Sequence, residues 1–156
     1  MSEVDVTDTI EFDRNVVGVE VDVGAHEVTE EKIIAFAEAI GETNPLYLDP
    51  EAAKKGPYGA LIAPPCYYTS IRLSPGPDPQ VTFGTTGFNA SQHCEFSEPM
   101  KAGDVVSAKA QIAQVYAKTG RTGTMVFVVR RTTYINQHGR VVLVVESSNV
   151  RRDMRQ

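Results

Sequence analysis

The last third of the chain constrains the fold most strongly, because it contains three long strand-like segments joined by short turns. The segments cover residues 105–116, 124–135 and 141–150, and the turns between them are rich in glycine and polar residues. Strands joined by such short connections pair antiparallel. Twist accumulates in a sheet of long strands and makes it curl. We therefore expect a curved antiparallel meander that wraps around an apolar element.

The first half of the sequence predicts a strand followed by helices. Residues 19–23 alternate between valine and acidic side chains, as in a half-buried strand. Thr29 is placed to cap a helix that ends at Gly41, and its apolar stripe is formed by Ile33, Phe36, Ala37 and Ile40. Asp49 and Pro50 are a second start signal, for a helix of about one or two turns that ends at Gly56.

The apolar element to be wrapped is predicted between residues 59 and 73. This stretch is apolar on most sides, and a helix of that kind is normally buried. We place the helix itself at residues 65–73 and a proline-rich loop at residues 74–80. The fold class predicted from this order of elements is α+β, a curved antiparallel sheet around a buried central helix.

With 156 residues, the chain has the usual length of one domain. Residues 1–14 show no sustained periodicity and are interpreted as an N-terminal arm, so residues 15–156 form the single predicted domain. No apolar window is long enough to span a membrane, and the N-terminus is acidic where a signal peptide would be basic. We expect a cytoplasmic protein without membrane insertion.

Charge and cysteine content narrow the classes of partner. Residues 1–100 hold 17 acidic and 5 basic side chains, and residues 101–156 hold 3 acidic and 10 basic ones. Nucleic acid is not expected as a partner, because the total charge is −5. The bases of the last third attract a smaller anion, such as a coenzyme A phosphate, or are solvated strand residues; both interpretations stay open. Cys66 and Cys94 form no CxxC motif, and the three histidines lack metal-ligand spacing.

Two motifs carry the chemistry. The first is Gly41-Glu42-Thr43-Asn44-Pro45-Leu46-Tyr47, after the predicted amphipathic helix, and the second is Leu61-Ile62-Ala63-Pro64-Pro65. With the turn Pro99–Asp104, they resemble the MaoC-like dehydratases and (R)-specific enoyl-CoA hydratases. That family carries G-D-x-N-P-x-H-x-D, I-A-H-G and P-V-x-x-G-D motifs in this order. The resemblance extends from about residue 17 to about residue 152 and implies the hotdog fold.

The resemblance also implies which residues would be catalytic. In the family, an Asp and a His five positions later add or remove a water molecule by general acid–base chemistry. These positions are Glu42 and Tyr47 here. The extra methylene displaces the Glu42 carboxylate by roughly an ångström. A tyrosine hydroxyl, whose pKa is about 10, is a poor substitute for an imidazole. From the residues alone, Glu42 is equally a solvated loop acid, and Tyr47 a core or groove aromatic.

A third departure concerns the thioester oxygen. The family holds this oxygen with the backbone N–H of the Gly in I-A-H-G, and that position is Pro65, which has no N–H. Loss of one such donor typically lowers the rate by about 10²–10³. The substrate-binding positions implied by the resemblance are Asn44, Pro45, Ala63, Pro65 and Cys66. Apart from its site role, Cys66 is interpreted as a small buried hydrophobe.

Because the scaffold motifs are intact around a degenerate site, the resemblance implies a particular branch of the family, the acyl-binding subunits of paired dehydratases. We expect a hydro-lyase component that binds an enoyl or 3-hydroxyacyl thioester of coenzyme A or a carrier protein, needs no other cofactor, and forms a homodimer or a heterodimer with a catalytic hotdog partner. Two alternatives stay open: an autonomous hydratase or hotdog thioesterase that uses Glu42, and a non-enzymatic acyl-CoA-binding protein.

Overall fold

The computed structural model describes residues 4–153, which form one curved sheet with short helices. The strands are β1 (Val4–Asp5), β2 (Val21–Glu27), β3 (Thr86–Phe96), β4 (Val105–Gly120), β5 (Gly123–Ile135) and β6 (Val141–Arg152). The α-helices are α1 (Glu30–Ala39), α2 (Pro45–Leu48) and α3 (Pro50–Lys54). Three 3₁₀ helices span Thr7–Thr9, Arg14–Val16 and Pro65–Ser70; we call the last the central 3₁₀ helix.

The sheet confirms the predicted antiparallel meander. Its strand order is β1-β4-β5-β6-β3, with β2 also paired to β4. Strands β4, β5 and β6 are consecutive neighbours, and all pairings between named strands are antiparallel. Strand β3 lies at one edge beside β6, and β1 and β2 share the opposite edge of β4. The second half of the chain therefore builds most of the sheet.

Strand β2 begins later than the alternation predicts. It starts at Val21, and its pairing with β4 is irregular between Asp22 and Gly24. Val23 is buried, whereas Val19 and Val21 are 49% and 40% exposed. The shift in register explains why only one of the three valines reaches the core, since a displaced strand exchanges its inward and outward faces.

Helix α1 has the predicted caps. The Thr29 hydroxyl accepts a hydrogen bond from Lys32 N, and Gly41 has a φ of 73°. Gly41 N donates to Glu38 O and Glu42 N donates to Ala37 O, which is the Schellman arrangement. Ile40 is the C-terminal cap and is 48% exposed, so the buried stripe ends one turn earlier than predicted.

The prediction of a buried helix over residues 65–73 is wrong in length and in burial. The central 3₁₀ helix ends at Ser70, only Tyr67 is buried within it, and Cys66 is exposed rather than buried. The hydroxyls of Thr69 and Ser70 donate to carbonyls three residues back, which satisfies the last turn and competes with continuation of the helix. The proline-rich stretch that follows forms a loop, as predicted.

Two apolar clusters form the core. The larger lies between the sheet, α1 and the central 3₁₀ helix and includes Ile33, Tyr67 and Leu143. The smaller cluster lies toward the end of β4 and the start of β5. Residues 6–17 pack against it, and Ile10 is only 7% exposed. The described part of the predicted arm is thus docked on β4; the domain division at residue 14 stays a prediction. None of the helices in residues 4–153 is long and apolar enough to cross a membrane.

Candidate functional site

A cavity of about 230 Å³ opens beside the start of the central 3₁₀ helix. It lies where α2, the loop after α3, the end of β3 and the start of β6 meet. Its walls are mostly apolar and are formed by Tyr47, Tyr58, Ile62, Ala63, Pro64, Pro65, Phe96, Ser97, Glu98, Pro99, Met100, Val142 and Leu143. A mostly apolar concave surface with a few polar groups is the usual composition of a small-molecule site.

Tyr47 lines the cavity because a short helix that the sequence did not predict holds it there. Asn44 and Pro45 begin α2 rather than a simple turn: the Asn44 side chain accepts a hydrogen bond from Leu46 N at 3.0 Å, and Pro45 occupies the first helical position. Leu46 O accepts a hydrogen bond from Ile62 N at 3.2 Å, which ties α2 to the opposite wall. Asn44 and Pro45 support the site without lining it.

Glu42 does not line the cavity. Its carboxylate accepts hydrogen bonds from Thr43 N at 2.8 Å and Asn44 N at 3.0 Å, so it organises the loop between α1 and α2. Both predicted catalytic positions therefore lie on the same loop and short helix, but only Tyr47 faces the cavity. Of the predicted substrate-binding residues, Ala63 and Pro65 line the cavity, whereas Asn44, Pro45 and Cys66 do not.

The backbone N–H groups of two wall segments are committed elsewhere. Ile62 N donates to Leu46 O, and Ala63 N donates to Met100 O at 2.8 Å. Ser97 N and Glu98 N both donate to Val142 O, at 3.0 and 3.4 Å. Pro64, Pro65 and Pro99 have no N–H to donate. Along these segments, residues 62–65 and 97–99, no main-chain donor remains for an oxyanion in the cavity.

The turn Pro99–Asp104 fixes the cavity floor. Ala63 N and Ala102 N make hydrogen bonds to Met100 O and Leu61 O, which joins the turn to the segment before the central 3₁₀ helix. Asp104 is buried, and its carboxylate accepts hydrogen bonds from Lys101 N and Gln137 Nε2. The turn is therefore a structural anchor beneath the site.

Glu98 is the carboxylate that lines the cavity, and the sequence motifs did not identify it. It forms an ion pair with Arg140, with 2.9 Å between Nε and Oε1. Tyr58 and Phe96 also line the cavity and are 42% and 50% exposed. Phe96 and Glu98 lie at and just after the end of β3, whereas Tyr58 comes from the loop after α3. The register of β3 against β6 places Phe96 opposite Leu143, another wall residue.

A polar cluster lies near the central 3₁₀ helix on β3. Tyr68 OH is 3.3 Å from Cys94 Sγ and accepts a hydrogen bond from Gln92 Nε2 at 2.6 Å. The contact with Cys94, together with burial, raises the pKa of Tyr68 to about 12. Both cysteines are free. Residues 4–153 contain no cluster of His, Cys, Asp and Glu side chains that could hold a metal ion.

The cavity is suited to a mostly apolar ligand. It offers apolar walls, two tyrosine side chains and an ion-paired carboxylate, and none of its described wall residues is a histidine. Pro64 and Pro65, adjacent in its wall, have no N–H to donate.

Comparison with known proteins agrees with this architecture. Residues 15–145 match a family model described as "FAS1-like, dehydratase domain region". The UPF0336 protein of Saccharopolyspora erythraea is 31% identical over 133 residues, which cover 82% of this chain and 83% of that protein. Two other UPF0336 proteins are matched over 67% and 66% of their own length.

Solved structures share the fold at low sequence identity. A MaoC-like dehydratase from Rhodospirillum rubrum has a TM-score of 0.69 and 23% identity, with 90% of this chain and 94% of that chain covered. The C-terminally truncated HadBC (3R-hydroxyacyl-ACP dehydratase) complex from Mycobacterium tuberculosis has a TM-score of 0.67 and 22% identity, with 88% and 98% covered. These likenesses confirm the predicted hotdog fold.

Proposed function

The chain belongs to the FAS1-like dehydratase-region family, and from that premise we propose that it is the acyl-binding subunit of a paired hydratase or dehydratase. Proteins of this group act on acyl thioesters. In the proposed pair, this chain binds the acyl group of an enoyl or 3-hydroxyacyl thioester, and a second hotdog chain supplies the Asp and His that handle water. Coenzyme A or a carrier protein bears the thioester, and no other cofactor is involved.

One observation carries the proposal: the described walls of the cavity are mostly apolar and present neither an imidazole nor, along residues 62–65 and 97–99, a free main-chain N–H. Tyr47 stands where the family has a histidine, and the Glu42 carboxylate binds the backbone N–H groups of its own loop. The two wall segments have no free main-chain donor. Binding without stabilisation of the transition state lowers no barrier, because catalysis requires contacts that strengthen in the transition state. A partner is therefore required for turnover.

The exposed edge of the sheet supports a partner of the same fold. Nine of the eleven residues of β3 are exposed, and among residues 4–153 this strand pairs only with β6. An unpaired edge strand of this length is a template for another strand. The HadBC structure, a complex in its own description, shares the fold.

The first test is reconstitution. The purified chain is assayed for enoyl-CoA hydration alone and mixed with a hotdog chain that has Asp and His at the two motif positions. We expect little activity from this chain alone and a higher rate in the mixture than from the partner alone. Equal rates with and without this chain would contradict the proposal.

Two aromatic residues of the same strand provide a matched pair of variants for binding. Phe96 lines the cavity and Phe88 does not, although they are 50% and 48% exposed. Phe96→Ala should raise the Kd for an acyl thioester about fivefold to tenfold through lost apolar contact, and Phe88→Ala should change it little. Equal effects of the two substitutions would place the acyl group elsewhere.

An autonomous enzyme is the second candidate, and Glu98 is the observation that favours it. Glu98 brings a carboxylate to the cavity wall, which Glu42 does not. If the isolated chain hydrates an enoyl thioester or hydrolyses a thioester, Glu98→Gln should abolish that turnover and Glu42→Gln should leave most of it. Binding of acyl-CoA with no turnover in any mixture would instead identify a non-enzymatic acyl-CoA-binding protein. A cytoplasmic location remains part of the proposal.

A further inference from the structure

A shallow depression lies between β2, α1 and the end of the central 3₁₀ helix, and it shares no wall residue with the cavity. Its floor is apolar and is formed mainly by the rings of Phe36 and Tyr67, which meet edge to face at 5.5 Å. Its polar wall residues are His26, Lys32, Ser70 and Arg72. Three of these four bear nitrogen donors, and none is acidic.

His26 lines this depression beside a buried tyrosine. Its Nε2 is 2.8 Å from Tyr67 OH, and Tyr67 is only 2% exposed. Either group can donate in this hydrogen bond, depending on the tautomer of the imidazole. Burial and the nearby Lys32 hold the pKa of His26 below its ordinary value. The imidazole therefore adds a polar group to the wall without adding a negative charge.

The two cations of the depression retain donors for a ligand. Lys32 Nζ donates one hydrogen bond, to Glu27 O at 2.8 Å, which leaves two of its three N–H groups. Arg72 is exposed, and its guanidinium has no hydrogen-bond or ion-pair partner among residues 4–153. Glu27 is the nearby acid that acts on His26, and it does not line the depression. The donors come from three separate elements and face one concave surface.

We propose that this depression binds a phosphate group of the carrier that delivers the acyl thioester. Arginine and lysine are both established phosphate-binding side chains, and an apolar floor accommodates the organic part of the carrier. The central 3₁₀ helix connects the two surfaces: Pro65 lines the cavity and Tyr67 and Ser70 line the depression. Its six residues span roughly 10–12 Å at 2 Å per residue, a distance that a pantetheine arm can cover. That the phosphate belongs to an acyl carrier rests on the proposed function.

Calorimetric titration with four probes tests the site: coenzyme A, dephospho-coenzyme A, phosphopantetheine and pantetheine. Arg72→Gln and Lys32→Gln should each weaken binding of coenzyme A about tenfold, because each removes a charge-assisted contact. Neither substitution should alter the affinity for pantetheine, which has no phosphate. Arg131→Gln is the matched control, because it removes the same charge from the sheet, where Arg131 pairs with Glu146 and does not line the depression.

The probes also identify the phosphate. If dephospho-coenzyme A binds as tightly as coenzyme A, the diphosphate occupies the depression. If phosphopantetheine also binds as tightly, the depression recognises the phosphate that coenzyme A and an acyl-carrier protein share. Unchanged affinity for coenzyme A in both Arg72→Gln and Lys32→Gln would overturn the inference, as would failure of the unmodified chain to bind any phosphate-bearing probe. The proposed function fails in a different measurement: the Kd for an acyl thioester would then be the same in Phe96→Ala and Phe88→Ala.

Discussion

Within the described part of the chain, the Tyr67 hydroxyl has one hydrogen-bond partner, His26. Because Tyr67 is 2% exposed, His26→Phe would leave the Tyr67 hydroxyl buried without a partner, at a cost of about 1–3 kcal/mol in the free energy of unfolding. Tyr67→Phe should cost less, since half-buried His26 can bind water instead. Urea denaturation of both variants and of the double variant measures this. A double variant less stable than His26→Phe alone would contradict the assignment.

The same pair predicts a pH dependence of stability. The pKa of His26 is lowered from 6.5 in the folded protein, first by burial and then by Lys32. The unfolded chain therefore takes up this proton more readily, and stability from His26 is complete above pH 6.5 and is lost as the pH falls through the lower folded value. The unfolding free energy should decrease between about pH 7 and pH 5, and less so in His26→Gln. Equal slopes for the two proteins would contradict the prediction.

Sequence motifs could identify only part of the site at this scale. The continuous motifs singled out Tyr47, Ala63 and Pro65, and the structure places all three in the wall of the cavity; their roles stay a prediction. Glu98 and Tyr58 carry no local signal, since their position depends on how β3 and the loop after α3 pack. The missing N–H of Pro65 is visible in the sequence, but the commitment of the neighbouring amides is visible only in the structure.

Among the connecting elements, the segment before β3 contains the tightest backbone approach. Gly84 has a φ of 92°, and a Cβ there would lie 2.8 Å from Arg152 N. Gly139, in the turn between β5 and β6, has a φ of 75° and nothing within 4 Å of a Cβ. Both substitutions to alanine carry about 1–2 kcal/mol of left-handed strain. Gly84→Ala should cost about 1–3 kcal/mol more, from the clash with β6.

Thermal or urea denaturation of the two glycine variants, at one concentration, measures the difference. Since the left-handed strain is common to both, the difference reports only the contact between residue 84 and the end of β6. Equal destabilisation would mean that the segment before β3 shifts without cost, and that the end of β6 does not hold it.

The elements that could be predicted from the sequence are those with a regular pattern of buried and exposed residues. The turns and alternation of β4, β5 and β6 predicted the meander, because these strands have one inward face with regular burial. Strand β3 (Thr86–Phe96) carries less of this signal, because an exposed edge strand needs no apolar alternation. Helix α2 was missed because Asn44-Pro45 is equally a turn signal and a helix start.

At the scale of the whole molecule, the sheet ends in two unlike edges. The edge formed by β1 and β2 is short and interrupted, whereas β3 offers eleven consecutive residues. If β3 pairs antiparallel with β3 of a second copy over all eleven residues, the two-fold axis passes through the middle of the strand and Ser91 lies opposite itself. Like charges placed directly opposite each other destabilise a pair of strands. The edge therefore predicts a specific position at which charge blocks assembly.

With that pairing, Ser91→Glu should shift the isolated chain from dimer to monomer in sedimentation velocity experiments, and Ala25→Glu, at an exposed position of the opposite edge, should not. A mixture of Ser91→Glu and Ser91→Lys chains should recover the dimer, because the introduced charges then attract each other across the two-fold axis. If the chain pairs only with a different hotdog subunit, Ser91→Glu should weaken that complex while leaving the isolated chain folded and monomeric. Unchanged assembly in every mixture would show that β3 is not the pairing edge, and that no second chain lies along β3 beside Phe96 and the cavity.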